Sequence, residues 1–291
     1  MKLTIATCQF PIDRDIERNL GYIGHQMTEA RRLGANVVHF PESALSGYPG
    51  SEFESFDGFD WGLLADSTHQ IMALARRSRL WVIVGSSHRL SDGHKPHNSL
   101  YIINDRGRIV ERYDKLFCTG DRSESDSDLK HFSPGGHFAT FTIRGVKCGA
   151  LICHDFRYPE LYREYKRRNV QLMFHSHHNG HLKKSKLRRT GNIWGMIVPP
   201  TMQGHAASNF MWISVNNTSA RESCWPSFFV RPDGMITGRL TNNRAGVLIS
   251  AVDTRAKLYD ASISWRDRAL RGVYHSGTLV RDRRSMNRTS L

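Results

Sequence analysis

The sequence has no long apolar run. None of its uninterrupted apolar stretches approaches the roughly 20 residues that a transmembrane helix needs. The N-terminal segment MKLTIATCQF passes directly into a strand-like pattern and shows no small-residue cleavage site. These absences predict a cytoplasmic protein without membrane attachment.

Paired cysteines are also missing. The 5 cysteines are scattered, and no two of them form a Cys-x-x-Cys pair or a zinc-ligand spacing. This pattern argues against a disulfide-stabilised secreted scaffold and favours buried or reactive thiols in a reducing compartment. The set comprises Cys8, Cys118, Cys148, Cys153 and Cys224.

Acidic residues are scarce relative to basic ones, with 27 Asp and Glu against 41 Lys and Arg and a formal net charge of +14. Such an excess suggests an anionic substrate, a nucleic acid or a membrane surface. The sequence contains no RNP-type, helix-turn-helix or zinc-finger signature, and its basic residues are dispersed. Nucleic acid is therefore not the expected partner, and a non-catalytic protein that binds nucleic acid or another anion is the alternative function.

No internal repeat, low-complexity tract or domain linker interrupts the sequence, in which strand-like and helix-like segments alternate. Two strand pairs form predicted hairpins, one ending near Lys115 and the other turning at Arg144 and Gly145. A doubly wound sheet needs helical crossovers at the places where these hairpins lie. The pattern therefore predicts an α/β fold in which two sheets pack face to face with helices outside.

Helix signals occur at four places. Residues 15–34 carry apolar side chains at helical spacing and end at a glycine. A capping box in STHQ predicts a second helix from about Ser67, and Pro159 suits the first turn of a third. A fourth helix is expected over residues 190–209, interrupted at its Pro-Pro pair.

Three reactive residues follow strand-like segments: Glu42 in HFPES, Lys115 in RYDK and Cys153 in ALICHD. Loops at strand ends are where a rigid scaffold presents reactive groups. Each residue alone has an ordinary interpretation, as a surface carboxylate, a solvated lysine or a small buried thiol. Together they supply a general base, a cation that favours the thiolate and stabilises an oxyanion, and a nucleophile. Such chemistry needs no metal and no organic cofactor.

The same segments resemble the motifs of the nitrilase superfamily, also called carbon–nitrogen hydrolases. FPESALSGY is similar to the glutamate motif, RYDKLF to the lysine motif and GALICHDFRYPELYR to the cysteine motif, in the family's order. Further similar segments, FSPGG, WISVNNT and FFVRPDGMI, extend the resemblance. We therefore take residues 1–255 as a hydrolase domain and residues 256–291 as a C-terminal extension with a basic tail, a candidate for a subunit interface.

The resemblance implies a four-layer α-β-β-α sandwich that dimerises through its helical face. It assigns Glu42 as general base, Lys115 as the oxyanion-stabilising lysine and Cys153 as nucleophile. The amide N–H of His154 is a natural second oxyanion donor, and Tyr48 in the glutamate motif is a further candidate for substrate binding. The implied reaction is hydrolysis of an amide or N-carbamoyl group of a small molecule through a thioester, and nitrile hydrolysis is less expected.

The chain departs from the family pattern in the acidic loop CTGDRSESDSD. Many members carry a further glutamate before a Pro-Gly pair, and counting back from Pro134 gives Asp128 at that position. Two interpretations assign the role of this glutamate to Asp128 or to Glu124. In a third, the loop is simply solvated.

A second departure is HSHHNGH, where many relatives have a proline and small residues. No carboxylate or cysteine lies at a matching spacing, so no metal site is predicted, and lining of the pocket is favoured over a surface position. His177 and His178 are the substrate-binding candidates. The histidines of the loop are His175, His177, His178 and His181.

A third departure is PTMQGHAASNF, which keeps Asn209 but lacks the acidic residue of the corresponding helix in relatives. Lysines close by in sequence make the expected pocket mouth more positive. An anionic group on the substrate, such as a carboxylate, is therefore expected. These lysines are Lys183, Lys184 and Lys186.

Overall fold

Two six-stranded sheets form the centre of the protein. A computed structural model describes residues 1–91, 93–120, 128–183, 185, 188–189 and 191–289. The first sheet contains β1 (Lys2–Gln9), β2 (Val37–His39), β3 (Trp81–His88), β4 (His97–Ile103), β5 (Ile109–Asp114) and β12 (Gly246–Asp253). The second contains β6 (Thr140–Ile143), β7 (Val146–Ile152), β8 (Leu172–Ser176), β9 (Trp212–Asn216), β10 (Phe228–Val230) and β11 (Ile236–Arg239).

The two sheets have related topologies. Their strand orders are β12-β1-β2-β3-β4-β5 and β11-β10-β9-β8-β7-β6. In each, three parallel strands (β1, β2, β3 and β7, β8, β9) are flanked by antiparallel ones. Because the carboxyl ends of parallel strands meet at one edge of a sheet, the loops after β2, β7 and β8 lie on the same side of the molecule.

Side chains along the strands alternate between the core shared by the two sheets and the interfaces of the sheets with the helices. In the first sheet Ile5, Val37 and Ile83 join the core shared with the second sheet, whereas their neighbours Ala6 and Val38 pack under helices. This alternation is the two-residue period of a strand. The helices are α1 (Ile16–Arg32) and α2 (Trp61–Ser78), against the first sheet, and α3 (Pro159–Arg167) and α4 (Ile193–Asn209), against the second. The predicted four-layer α-β-β-α sandwich is confirmed.

Two helix predictions need correction. The second helix begins at Trp61 rather than near Ser67, because Asp60 caps it by accepting from the Leu63 amide. Ser67 is buried inside that helix. The fourth helix begins at Ile193 and continues through Pro199 without interruption, since packing of its apolar face against the core outweighs the cost of the prolines.

The C-terminal extension contains two short helices, α5 (Arg266–Leu270) and α6 (Arg283–Met286). It contacts the sandwich through Arg167 of α3, which donates to the Leu270 carbonyl. Several large apolar side chains of the extension are exposed, including Tyr274 at 84%. No helix within the described ranges is long and apolar enough to cross a bilayer.

A glycine in β3 allows the loop after β2 to lie against the first sheet. A Cβ at Gly85 would be 2.2 Å from the Pro41 carbonyl oxygen and 2.5 Å from the Ser43 nitrogen. The Gly85 carbonyl in turn accepts from the Leu45 amide. This close approach fixes the backbone on both sides of Glu42.

We expect Gly85→Ala to lower the free energy of unfolding by about 1–3 kcal/mol, because the backbone near Glu42 must move to make room. Gly21→Ala is the matched control, since nothing lies within 4 Å of the added methyl group in α1. That control should stabilise the protein by roughly 0.5–1 kcal/mol. Urea unfolding measures both, and equal stability of the two variants would contradict the close approach.

Candidate active site

The predicted residues Glu42, Lys115 and Cys153 lie together at one edge of the sandwich. Glu42 follows β2, Lys115 directly follows β5 and Cys153 directly follows β7. Asp128 joins them at the start of a short 3₁₀ turn, Asp128–Lys130. The structure thus brings all four of these predicted residues into one group. We call Glu42, Lys115 and Asp128 the Lys115 cluster, and Cys153 lies next to it.

The Lys115 ammonium group has all three of its protons in hydrogen bonds. Nζ donates to Glu42 Oε1 at 2.9 Å, to Asp128 Oδ2 at 2.8 Å and to Thr119 Oγ1 at 3.3 Å. The lysine side chain is only 1% exposed. Burial alone would lower its pKa, but the charges of Glu42 and Asp128 raise the pKa of Lys115 well above its usual range. The lysine is therefore a fixed cation.

Asp128 is held by three donors. Its Oδ2 accepts from Lys115 and, at 2.8 Å, from the Thr119 amide, and its Oδ1 accepts from the Tyr48 hydroxyl at 2.6 Å. Burial opposes ionisation of this carboxyl, yet Lys115 and these hydrogen bonds keep the pKa of Asp128 below its usual value. Asp128 thus lies beside Lys115, and its assignment to the role of the family's second glutamate stays a prediction. Glu124 lies outside the described residues.

Glu42 is fully buried and uses one oxygen for its hydrogen bonds. Oε1 accepts from Lys115 and, at 2.8 Å, from Asn98 Nδ2 on β4. Oε2 has no hydrogen bond of ordinary geometry within the described residues. Oε2 is therefore available to accept a proton.

The Cys153 backbone adopts a left-handed conformation, with φ of 43°. Its carbonyl accepts from His175 Nε2 at 3.1 Å, and the preceding Ile152 amide donates to Asp155 Oδ2 at 2.9 Å. Asp155 also accepts from the Tyr113 hydroxyl at 2.7 Å. Left-handed backbone is costly for a residue with a side chain, so these bonds hold the turn that presents the thiol.

The Cys153 thiol is protonated at rest. Burial raises the pKa of Cys153 well above its usual value, the nearby Glu42 carboxylate raises it further, and Lys115 lowers it. The expectation that the lysine favours the thiolate is correct in sign. Burial of the thiol and the Glu42 carboxylate outweigh the effect of Lys115 on the pKa of Cys153. Attack by this thiol needs a base, and the Glu42 carboxylate is in contact with it.

A cavity of about 820 Å³ opens onto Cys153. Tyr48, His154 and His178 line it as predicted, together with Asp128. The assignment of His177 to substrate contact needs correction, because its ring is fully buried and stacks on the His175 ring at 4.4 Å. Successive residues at the end of a strand point to opposite sides, so His178 reaches the cavity and His177 does not.

Within the described residues, the lysines that were expected to make the cavity mouth positive are not the ones found on its wall. Lys130 and His131 line the cavity, whereas Lys183 does not. Lys184 and Lys186 lie outside the described residues. Asn209 is buried at the end of α4, where its Nδ2 donates to the His205 carbonyl.

Sequence reasoning missed Glu52, a buried residue of the cavity wall. Glu52 Oε1 accepts from His178 Nε2 at 2.8 Å and from His181 Nε2 at 2.9 Å, and Oε2 accepts from the Tyr48 amide at 3.0 Å. Burial would raise its pKa, but the two histidines lower the pKa of Glu52 to about 2. The histidine loop therefore does meet a carboxylate, one that lies 126 residues away from His178 in sequence.

Two other contributors gave no usable sequence signal. Asn98 meets Glu42 across 56 residues, and His175 meets the Cys153 carbonyl across 22. Neither residue type at those spacings indicates a contact with a reactive group.

An α-β-β-α sandwich with a glutamate, a lysine and a cysteine at one edge defines a protein of the nitrilase superfamily. The sequence model of the carbon-nitrogen hydrolase family matches residues 4–259, and the chain belongs to this family.

Individual relatives agree with this assignment. The chain is 28% identical over 174 residues to the omega-amidase NIT2 of Mus musculus, a match covering 58% of this chain and 61% of the relative. It is 25% identical over 163 residues to nitrilase homolog 2 of Dictyostelium discoideum, a match covering 55% of this chain and 49% of that protein. The chain thus spans about half to three fifths of the length of these curated relatives. A solved amidase from Nesterenkonia sp. shares the fold, with a TM-score of 0.72 at 18% identity over 93% of this chain and 95% of that one.

The pH dependence of Cys153 alkylation should report the Glu42 contact. Glu42 raises the pKa of the thiol, so Glu42→Gln should shift the rate profile with iodoacetamide to lower pH. Labelling of Cys118, whose pKa is raised to about 12 mainly by burial, serves as the internal reference. A shift of the Cys153 profile to higher pH would contradict contact between the thiol and the carboxylate.

Asp128→Asn should reduce kcat for amide hydrolysis more than tenfold, because Lys115 loses one of its two charge partners. It should also lower the free energy of unfolding by about 1–3 kcal/mol, since a buried hydrogen bond to a charged group is lost. Glu54→Gln is the control, because this carboxylate lines the same cavity but is exposed. Steady-state kinetics and urea unfolding measure the pair, and equal kinetics in the two variants would remove Asp128 from the active machinery.

Proposed function

We propose that this protein hydrolyses a non-peptide C–N bond of a small amide or N-carbamoyl substrate through a thioester on Cys153. The observation that carries the proposal is the buried Lys115 cluster beside Cys153, which lines a cavity. Membership of the carbon-nitrogen hydrolase family supports the same reaction class.

Acylation begins with proton transfer from Cys153 to Glu42, whose Oε2 is free to accept it. The sulfur attacks the carbonyl carbon, and negative charge develops on the substrate oxygen. Lys115 and the amide N–H of His154 stabilise that oxyanion. The Lys115 proton now bonded to Thr119, at 3.3 Å the longest of its three contacts, is the one available for this task.

Collapse of the tetrahedral intermediate breaks the C–N bond. Glu42 returns its proton to the leaving nitrogen, so ammonia or an amine departs and the acyl group remains on Cys153 as a thioester. A water molecule then gives a proton to Glu42 and attacks the thioester. The acid leaves, and the proton on Glu42 returns to the sulfur, which restores the resting site.

The substrate is proposed to carry an anionic group. Lys130 on the cavity wall supplies positive charge. Of the wall carboxylates, Glu52 and Asp128 are already bonded to cationic or N–H partners, and Glu54 is exposed to solvent. Asp128 is proposed to position Lys115, and Tyr48 and His178 to contact the substrate. The alternative, a non-catalytic protein that binds nucleic acid or another anion, gives no role to the buried group of Glu42, Lys115 and Asp128 beside Cys153.

Assembly as a homodimer or higher homo-oligomer is proposed as well. Exposed apolar side chains of the C-terminal extension, such as Tyr259, Tyr274 and Val280, support a role of residues 256–291 at a subunit interface. The division into residues 1–255 and 256–291, and the cytoplasmic location, stay predictions.

The test is ammonia release from a panel of amides and N-carbamoyl amino acids, combined with intact-protein mass spectrometry. We expect turnover of at least one carboxylate-bearing amide and an acyl adduct on Cys153 in the presence of substrate. Cys153→Ala should abolish both. Cys118→Ala, the control at another partly buried cysteine, should retain both. Turnover that persists in Cys153→Ala would overturn the mechanism.

A further inference from the structure

We propose that Glu52, His178 and His181 form a binding site for a divalent metal ion, with zinc as the best match. We call these residues the histidine–glutamate cluster. Their ligand atoms all lie within 4.8 Å of one another. Both histidine Nε2 atoms converge on one oxygen, Glu52 Oε1, at 2.8 and 2.9 Å.

The spacing of these atoms fits a tetrahedral ion. Ligand bonds of about 2.0–2.2 Å separate neighbouring tetrahedral ligand atoms by about 3.3–3.5 Å. Each observed N···O contact therefore needs to widen by only about half an ångström to admit the ion between its partners. In the metal-free form each Nε2 carries a proton donated to Glu52. On binding, a neutral imidazole moves that proton to Nδ1 and a protonated one releases it, because the ligand nitrogen must offer a lone pair.

The donor set also selects the kind of ion. Two imidazoles and a carboxylate suit zinc and neighbouring transition metals, whereas magnesium and calcium prefer oxygen ligands alone. Three protein ligands leave a fourth position for water or another oxygen, the composition of open zinc sites. Since Glu52 and His178 line the cavity that opens onto Cys153, the ion would lie on the wall of that cavity.

Surrounding contacts fix two of the three ligands. Glu52 Oε2 accepts from the Tyr48 amide at 3.0 Å, which sets the orientation of the carboxylate. The His178 ring stacks on the Tyr48 ring at 5.0 Å. Such outer partners orient metal ligands and contribute to affinity. His181 is 45% exposed, so an ion can reach the cluster from solvent.

The sequence alone argued against this site, because no carboxylate lies near the histidine loop in the chain. The fold supplies one from the loop after β2. The proposal does not depend on the hydrolase reaction, and it is tested by binding rather than by turnover.

The experiment is a zinc titration of the full chain, without a histidine tag and after removal of metal with a chelator, followed by calorimetry. We expect one tight equivalent per chain. Loss of an outer partner of a ligand typically costs about 10–100-fold in affinity, so His181→Ala and Glu52→Gln should each lose at least about 100-fold. Because His181 is half exposed, its variant is expected to fold. His131→Ala, at another histidine of the cavity wall, should bind as the parent does.

Two further measurements identify the ligands. Cobalt(II) should give an absorption spectrum of a four- or five-coordinate N/O site, without a thiolate charge-transfer band. Cys153→Ala should retain the tight equivalent. The proposal is overturned if zinc does not saturate a tight site, if His181→Ala binds as tightly as the parent, or if Cys153→Ala abolishes binding.

Discussion

The buried ammonium group of Lys115 is the constraint on which the candidate active site depends. A lysine with 1% exposure cannot stay charged without partners, and an ammonium group has three protons to satisfy. Its acceptors come from three separate segments: Glu42 after β2, Thr119 after β5 and Asp128 in the following turn. All three loop segments at this edge therefore bind the same atom, Lys115 Nζ. Loss of any one acceptor would leave the buried ammonium group with an unsatisfied proton.

The charge balance of this cluster explains why Cys153 and Glu42 form a working pair. One ammonium group faces two carboxylates, so the site has an excess of negative charge before any substrate enters. A thiolate there would add more, and burial together with the Glu42 carboxylate raises the pKa of Cys153. The proton thus stays on sulfur until the Glu42 carboxylate takes it. Lys115 contributes most once negative charge moves to a substrate oxygen, which fits its proposed role with the oxyanion.

The parts of this site that sequence could predict are those that follow strongly patterned strands. Glu42, Lys115 and Cys153 each follow a strand-like segment, and the family resemblance assigns all three to one site. Asn98, Glu52 and His175 could not be found in the same way, because their contacts cross 56, 126 and 22 residues. The first and third depend on the order of strands within a sheet, and the second on how loops from the two sheets meet. The predicted start of α2 near Ser67 is wrong for a local reason. A second residue able to cap a helix, Asp60, lies seven positions earlier, and the helix begins there. The continuation of α4 through Pro199 and Pro200 depends on packing of its apolar face against the core, which cannot be predicted from the local sequence.

Tyr48 links the two polar groups of the cavity. Its hydroxyl donates to Asp128, its amide donates to Glu52 and its ring stacks on His178. A movement of the histidine–glutamate cluster would therefore move Tyr48, and with it one of the three donors that hold Asp128 against Lys115. Because Asp128 and Glu42 both accept from Lys115, a displaced Asp128 would also change the surroundings of Glu42, the proposed base. One aromatic residue in the loop after β2 thus makes the far wall of the cavity and the proposed base, Glu42, parts of a single hydrogen-bonded unit.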